Sequence, residues 1–414
     1  MQKMISSVTF WLVLVQLFTA GVAFLVNLLS SAALTPTDRG YLALFLQIGY
    51  LITAVALLGV ERPYVAASAT KFGVAVWKLQ RLILPGILSI LFLLIAAAAI
   101  CFFIDIRVGL IFLIGAIFVL GNVTLKVLRS AAISSRVWKR YSLIAIISQL
   151  ILLITAVIFA FYGVDDIMWW VTAYALSGLA PVFYALIAAK RQGVKDYKTT
   201  SEFATVRREG FRLLPASLGS MSMQRADRLL LPFLASPAAL GIYVVAATAV
   251  AISVWPVQQW SDSKLNTWAS NRVTSRWALL RTLGMAASIT LFLGLCLASV
   301  VWLAVDFMLG PAYQATKDLL PPLIVGHVLY ALARVLQGHM IAAGQSRYVT
   351  VSELAGMFIS VGFCFVLIPT YEAAGAAYSI LLGNLGSVLL GGIMWNRTRS
   401  ETLKSEELDF QTTE

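Results

Sequence analysis

Apolar residues in this chain come in long continuous runs rather than in the alternation of a half-buried strand or the single stripe of a soluble helix. Twelve runs reach the ~20 residues that cross a bilayer as an α-helix. They lie at 8–33, 41–60, 82–104, 108–131, 143–162, 167–189, 211–234, 238–260, 279–303, 319–343, 348–369 and 374–396. Breakers at Pro36, Gly40, Pro63, Gly163, Pro237, Gly310-Pro311, Gly344 and Pro369 fall at or between runs. Pro85, Pro321 and Pro322 sit in first turns, where a missing N–H is harmless. Pro181, Pro215, Pro232 and Pro256 lie within or near the ends of runs and predict kinks.

The most charged stretch, KRQGVKDYKTTSEFATVRREG (190–210), divides the runs six and six. Phe203, Val206, Gly210 and Phe211 suggest an interfacial helix there, and 61–81, with Lys71, Lys78 and Arg81 beside Phe72, Val76 and Trp77, reads the same way. LTPTDRGY (34–41) and ASPAALGI (235–242) match at an offset of 201, pairing Pro36 with Pro237 and Gly40 with Gly241. The expectation is an all-α polytopic membrane protein, with 12 transmembrane helices in two six-helix lobes around a central cavity. The lobes would be 1–190 and 211–396, joined by a cytoplasmic linker at 191–210 and followed by a cytoplasmic tail at 397–414.

Composition agrees with that picture. Of the 414 residues 60% are hydrophobic and 12% charged, against ~45–50% and ~25% in soluble domains. Mean hydropathy is +0.87. A soluble enzyme and a large extramembrane domain are excluded. A β-barrel is excluded because barrels read as short alternating segments. The net charge of +12 points to orientation rather than to nucleic acid. With the N-terminus inside, 25 of the 31 Lys and Arg fall on cytoplasmic segments, three outside (Arg39, Arg107 and Lys317) and three within spans. That bias places both termini in the cytoplasm. Cys101, Cys296 and Cys364 all lie in apolar runs, so no disulfide framework is expected. Two histidines and no Cys/His cluster argue against a metal site, and no cofactor is expected.

No nucleophile elbow, metalloprotease helix or phosphate loop is present, and no acid pair sits at an outer helix end. The informative residues are charges inside spans, each costing ~2.5–3.5 kcal/mol at mid-bilayer unless it faces a cavity or a partner. Span 7 holds Gln224, Arg225, Asp227 and Arg228. On a continuous helix the two arginines lie ~60° apart, with Ser217 and Met221, and Asp227 is turned aside. Such a pair suits a diphosphate; the alternative is that Arg228 snorkels and Arg225 pairs with an acid elsewhere. In span 10, His327, Tyr330, Arg334 and Gln337 fall within ~80° of arc, as a cavity lining or an interhelical contact. Glu353 either pairs with Arg347 or Arg334 or serves ion coupling. Asn27, Gln47, Asn122, Gln149, Gln258 and Gln259 either bind sugar or tie helices together.

The stretches LTPTDRGYLALFLQIGYLITAVALLGV (34–60), QRADRLLLPFLASPAALGIYVVAA (224–247), LGPAYQATKDLL (309–320) and LIPTYEAAGAAYSILLG (367–383) resemble the polysaccharide transporter branch of the multidrug/oligosaccharidyl-lipid/polysaccharide exporter superfamily, the O-antigen-type flippases. The resemblance implies two six-helix lobes and outward flipping of polyprenyl-diphosphate-linked glycan across a bacterial cytoplasmic (inner) membrane. It implies a positively charged cavity, to which Arg225, Arg228 and Arg334 would contribute. Gln224, Asp227, His327, Tyr330, Gln337, Asn27 and Gln47 complete the expected substrate-binding set. Expected partners are the lipid-linked glycan, the bilayer, and a polysaccharide polymerase or glycosyltransferases; nucleic acid is not among them. Spans 1 and 2 lack the cations of peptidoglycan-precursor flippases. The competing readings are a cation-coupled drug or small-molecule exporter, a membrane glycan enzyme and a non-transporting assembly subunit.

Overall fold

A computed structural model describes residues 2–67, 71–135, 137–190, 204–211, 214, 225–270, 275–343 and 345–411. The described residues form helices and connecting turns, and the chain divides into two compact units, Met1–Arg225 and Ala226–Glu414. The first contains α1 (Gln2–Ala33), α2 (Pro36–Ala56), the short α3 (Glu61–Ala67), α4 (Phe72–Phe102), α5 (Ile106–Ser135), α6 (Trp138–Phe161) and α7 (Ile167–Lys190). A further helix, α8, covers 204–211. The second unit contains α9 (Ala226–Leu234), α10 (Pro237–Ile252), α11 (Trp255–Ser270), α12 (Arg276–Ala304), α13 (Thr316–Ala342) and α14 (Ser346–Gln411).

Ten described stretches are long and apolar enough to cross a membrane. One of them, Arg347–Arg397, is 51 residues long, more than twice what a crossing needs. It is two crossings, because the backbone of α14 leaves helical geometry at Glu372 (φ 47, ψ −122) and the two limbs pack on each other. Ser387 Oγ donates to the Ser352 carbonyl at 3.3 Å across that packing. The described part of the expected seventh span is α9. Counting α14 as two, eleven crossings lie among the described residues. Large apolar side chains such as Phe92 (71% exposed) point outward, because hydrocarbon rather than water is their solvent.

Several boundaries moved, each for a local reason. Helix α2 begins at Pro36 rather than at 41, because Thr35 caps it: its side chain accepts from the Asp38 N–H at 3.2 Å, and Pro36 stands at the first helical position. Ser236 and Pro237 repeat this device for α10, with Ala239 N–H donating to Ser236 Oγ at 3.1 Å. The sequence match at offset 201 is therefore a repeated helix start, one in each unit. Helix α4 begins ten residues ahead of its expected span. Residues 72–81 are thus its first turns rather than a surface connector, and Phe72, Val76 and Lys78 are buried. Pro85, Pro321 and Pro322 consequently lie inside helices instead of in first turns. The kink expected at Pro256 is a break at Ser253-Val254 between α10 and α11, where the proline ring opposes the carbonyl four residues back. Pro215 lies outside the described residues, as do Phe203 and most of the expected linker.

The described end of that linker, α8, joins the core of the first unit through Val206, which is 3% exposed. Its Gly210 packs against the turn after α2. Leu58 and Gly59 both adopt positive φ there (51° and 67°), and a Cβ on Gly59 would come within 2.4 Å of the Gly210 carbonyl oxygen.

Candidate functional site

The early start of α2 changes the fate of Arg39. Expected in an outer loop, it closes the first turn of the helix and is 2% exposed. Its guanidinium donates to Asn27 Oδ1 and, at 3.2 Å, to Ser31 Oγ. Asn27 on α1 therefore holds a buried arginine of α2, and this contact is part of the packing between α1 and α2.

Arg225 occupies the turn position immediately before α9. It belongs to the first unit, where it donates to Gln47 Oε1 on α2. Its guanidinium carbon stands 4.8 Å from the centre of the Tyr50 ring, a cation–π geometry. Gln47 is 5% exposed. Lys126 on α5 lies within electrostatic range of Arg225, Arg129 and Glu61.

In the second unit Asp227 is 2% exposed and accepts a 2.6 Å hydrogen bond from the Tyr243 hydroxyl of α10. Its Oδ2 also lies 4.0 Å from Arg228 Nε. The expectation that this acid is turned away from Arg228 does not hold, because the long arginine side chain folds back to its neighbour. The Asp227 Oδ1 atom is buried without a hydrogen-bond partner. His327 Nδ1 stands 2.9 Å from the Leu323 carbonyl of its own helix, and the ring lies within electrostatic range of Asp227 and Arg228.

A second polar group crosses α11, α13 and α14. Tyr330 Oη receives a 3.2 Å hydrogen bond from Gln258 Nε2. Arg334 lies 3.4 Å from Gln337 Oε1 and 3.9 Å from Glu353 Oε1. Arg334 is the partner of Glu353 here. Gln337 is buried, while Arg334 and Glu353 remain partly exposed. Asn122 Nδ2 donates within its own helix to the Phe118 carbonyl at 2.9 Å.

The ten residues expected to contact substrate therefore separate into distinct settings. Arg225 joins Gln47; Asp227, Arg228 and His327 form another group; Tyr330, Arg334 and Gln337 form a third; Asn27 holds Arg39. Gln224, Ser217 and Met221 lie outside the described residues. Sequence reasoning missed Arg39, Lys126, Tyr50 and Tyr243. The Thr35-Pro36 cap was the available signal for Arg39, and Lys126 lay inside an apolar run although it was counted as a surface charge. Neither tyrosine carried a sequence signal. Among the described residues no group of three or more His, Cys, Asp or Glu is placed to hold a metal ion.

Two units built of long apolar helices, with charges buried between helices, define a multi-pass membrane protein of the transporter fold. That fold is shared with an inward-facing multidrug resistance MATE family transporter of the MOP superfamily (16% identity, TM-score 0.72, covering 93% of this chain and 96% of that one). It is shared also with the lipid II flippase MurJ in an inward closed conformation (11% identity, TM-score 0.63, 96% and 92%), and with an outward-facing MATE transporter (14%, 0.63, 96% and 96%). The chain belongs to the polysaccharide biosynthesis protein family, which matches residues 7–255. No curated protein matches it by sequence.

Proposed function

We propose that this protein flips a polyprenyl-diphosphate-linked oligosaccharide from the inner to the outer leaflet of a bacterial cytoplasmic membrane, by alternating access, for surface or exopolysaccharide synthesis. The observation that carries this reading is Arg225 of the first unit, set against Gln47 and the Tyr50 ring of a membrane-spanning helix, with Lys126 within electrostatic range. A net positive group beside a membrane-spanning helix recognises an anion, and the guanidinium fork suits phosphoryl oxygens. Membership of a polysaccharide biosynthesis family supplies the glycan, and the fold shared with a lipid II flippase supports a lipid-linked cargo. The Lys and Arg bias supports cytoplasmic termini. Arg228 and Arg334 stand beside the acids Asp227 and Glu353, which offset part of their charge.

The test is flipping of labelled lipid-linked glycan in proteoliposomes. Arg225→Ala is expected to slow it about tenfold or more, the loss of a charge-assisted contact worth ~1.5–3 kcal/mol. Arg225→Lys restores part, since an ammonium keeps the charge without the fork. Unchanged flipping by the alanine variant would remove this cluster from substrate binding.

A second reading, a cation-coupled exporter, draws on Asp227, a buried carboxylate with one oxygen unpartnered. It requires that Asp227→Asn abolish transport even when the membrane potential is maintained.

A further inference from the structure

The first unit contains a cavity of about 340 Å³ whose lining is almost wholly apolar. One wall is α2, through Tyr41, Phe45, Ile48 and Ile52; α4, α5 and α7 complete it. It lies in the half of the unit nearer the α1–α2, α4–α5 and α6–α7 connections. From Tyr41 to Ile52 the wall runs about 16 Å along α2, long enough to lie against an extended hydrocarbon chain. Tyr41 and Ile48 are 49% and 40% exposed, so the slot opens sideways.

Its placement relative to the cationic cluster is informative. On α2 the slot residues, Leu44 and Gly49 included, span ~140° of arc, and Arg39, Gln47 and Tyr50 fall within ~80° on the other side of the helix. A short aromatic layer joins the two faces. Phe118 of α5 lines the slot, its ring centre is 5.6 Å from that of Phe45 and 5.6 Å from that of Tyr50, and Tyr50 carries the Arg225 guanidinium. We infer that this slot binds the prenyl tail of the lipid whose diphosphate the Arg225 cluster holds, the two ends of the substrate straddling α2. The inference rests on the proposed function for the identity of the headgroup. A long prenyl chain exceeds the ~10–12 Å width of a helix and can pass around it. An apolar slot joined by an aromatic layer to a guanidinium suits an anion-headed lipid, and the proposed substrate is one. The gain over bulk lipid is dispersion against aromatic walls, since hydrocarbon leaving the bilayer gains no hydrophobic free energy. The tethered headgroup raises the local concentration of tail at the slot.

The experiment uses the full chain in proteoliposomes with two photoreactive probes, a diazirine-tagged polyprenyl diphosphate and a diazirine-tagged phosphatidylglycerol. The prenyl probe should label peptides covering 41–52 and 111–119, and untagged polyprenyl diphosphate should suppress that labelling while added phospholipid does not. Ile48→Trp, which fills the slot from its open side, should reduce prenyl labelling about fivefold or more through lost packing space, with membrane level unchanged. Phe112→Ala, which widens it instead, should keep the labelling, so a folding defect in the first variant does not decide the matter. Equal labelling by the phospholipid probe, or no prenyl labelling at these peptides, overturns the slot. Flipping measured in the same vesicles separates the two ideas. Flipping without slot labelling sinks the slot alone, and slot labelling without any flipping sinks the transport reading alone.

Discussion

Buried charge is expensive in a membrane protein, and each instance here has a specific neighbour. Arg39 is held by neutral acceptors on Asn27 and Ser31, a geometry that spreads a cation over two helices. Removing an acceptor leaves donors unsatisfied in a medium that cannot solvate them. Asn27→Leu should therefore cost ~1.5–3 kcal/mol, the range for hydrogen bonds to charged groups. The measurement is thermal unfolding in detergent. Lipid-linked glycan binding should survive in the fraction that remains folded, because this pair ties α1 to α2. A stable protein with lost binding would instead return Asn27 to the substrate site.

At the scale of elements, the turn after α2 decides where α8 docks. Gly59 has φ +67° and its Cβ position is 2.4 Å from the Gly210 carbonyl oxygen. Gly163, between α6 and α7, has φ +64° with nothing within 4 Å. The two glycines separate backbone strain from close packing. Gly163→Ala should cost only the left-handed penalty, ~1–2 kcal/mol. Gly59→Ala adds a backbone collision and should be clearly worse, by at least ~1 kcal/mol more. Urea or thermal unfolding of both variants checks the order; equal losses would mean that the Gly59–Gly210 approach relaxes freely.

For the whole molecule the question is what drives transport. A diphosphate carries about two negative charges, and moving one charge through 100 mV is worth ~2.3 kcal/mol. With the membrane negative inside, outward transfer of the pair would gain ~4–5 kcal/mol per 100 mV. If the Arg225 cluster moves with its anion, the loaded carrier is nearly neutral and the return of the empty, positive carrier is the voltage-sensitive step, with the same total gain. Collapsing the potential is then expected to slow flipping more than collapsing a proton or sodium gradient at constant potential, and Glu353→Gln should keep substantial activity because Glu353 pairs locally with Arg334. Dependence on an ion gradient with indifference to potential would favour the exporter reading and its Asp227 site.

The multi-pass helical architecture was legible in the chain alone, because bilayer crossing depends on the summed hydropathy of ~20 neighbouring residues. The repeat at offset 201 was legible for the same reason: a Thr-Pro or Ser-Pro cap acts within four residues. Arg225 and Asp227 could be singled out too, since any charge inside an apolar run is costly. Which partner each charge met was decided only by tertiary structure. Arg225 was paired in sequence with Arg228, yet it sits against Gln47, 178 positions away. Arg228 instead met the acid one residue before it. Lys126 read as a surface charge until the fold set it near Arg225. Helical periodicity gives the direction in which a side chain leaves its helix, and not the partner that a long arginine reaches. Hydropathy is local and additive, whereas the satisfaction of a buried charge depends on which helices pack together, and that is a property of the folded chain.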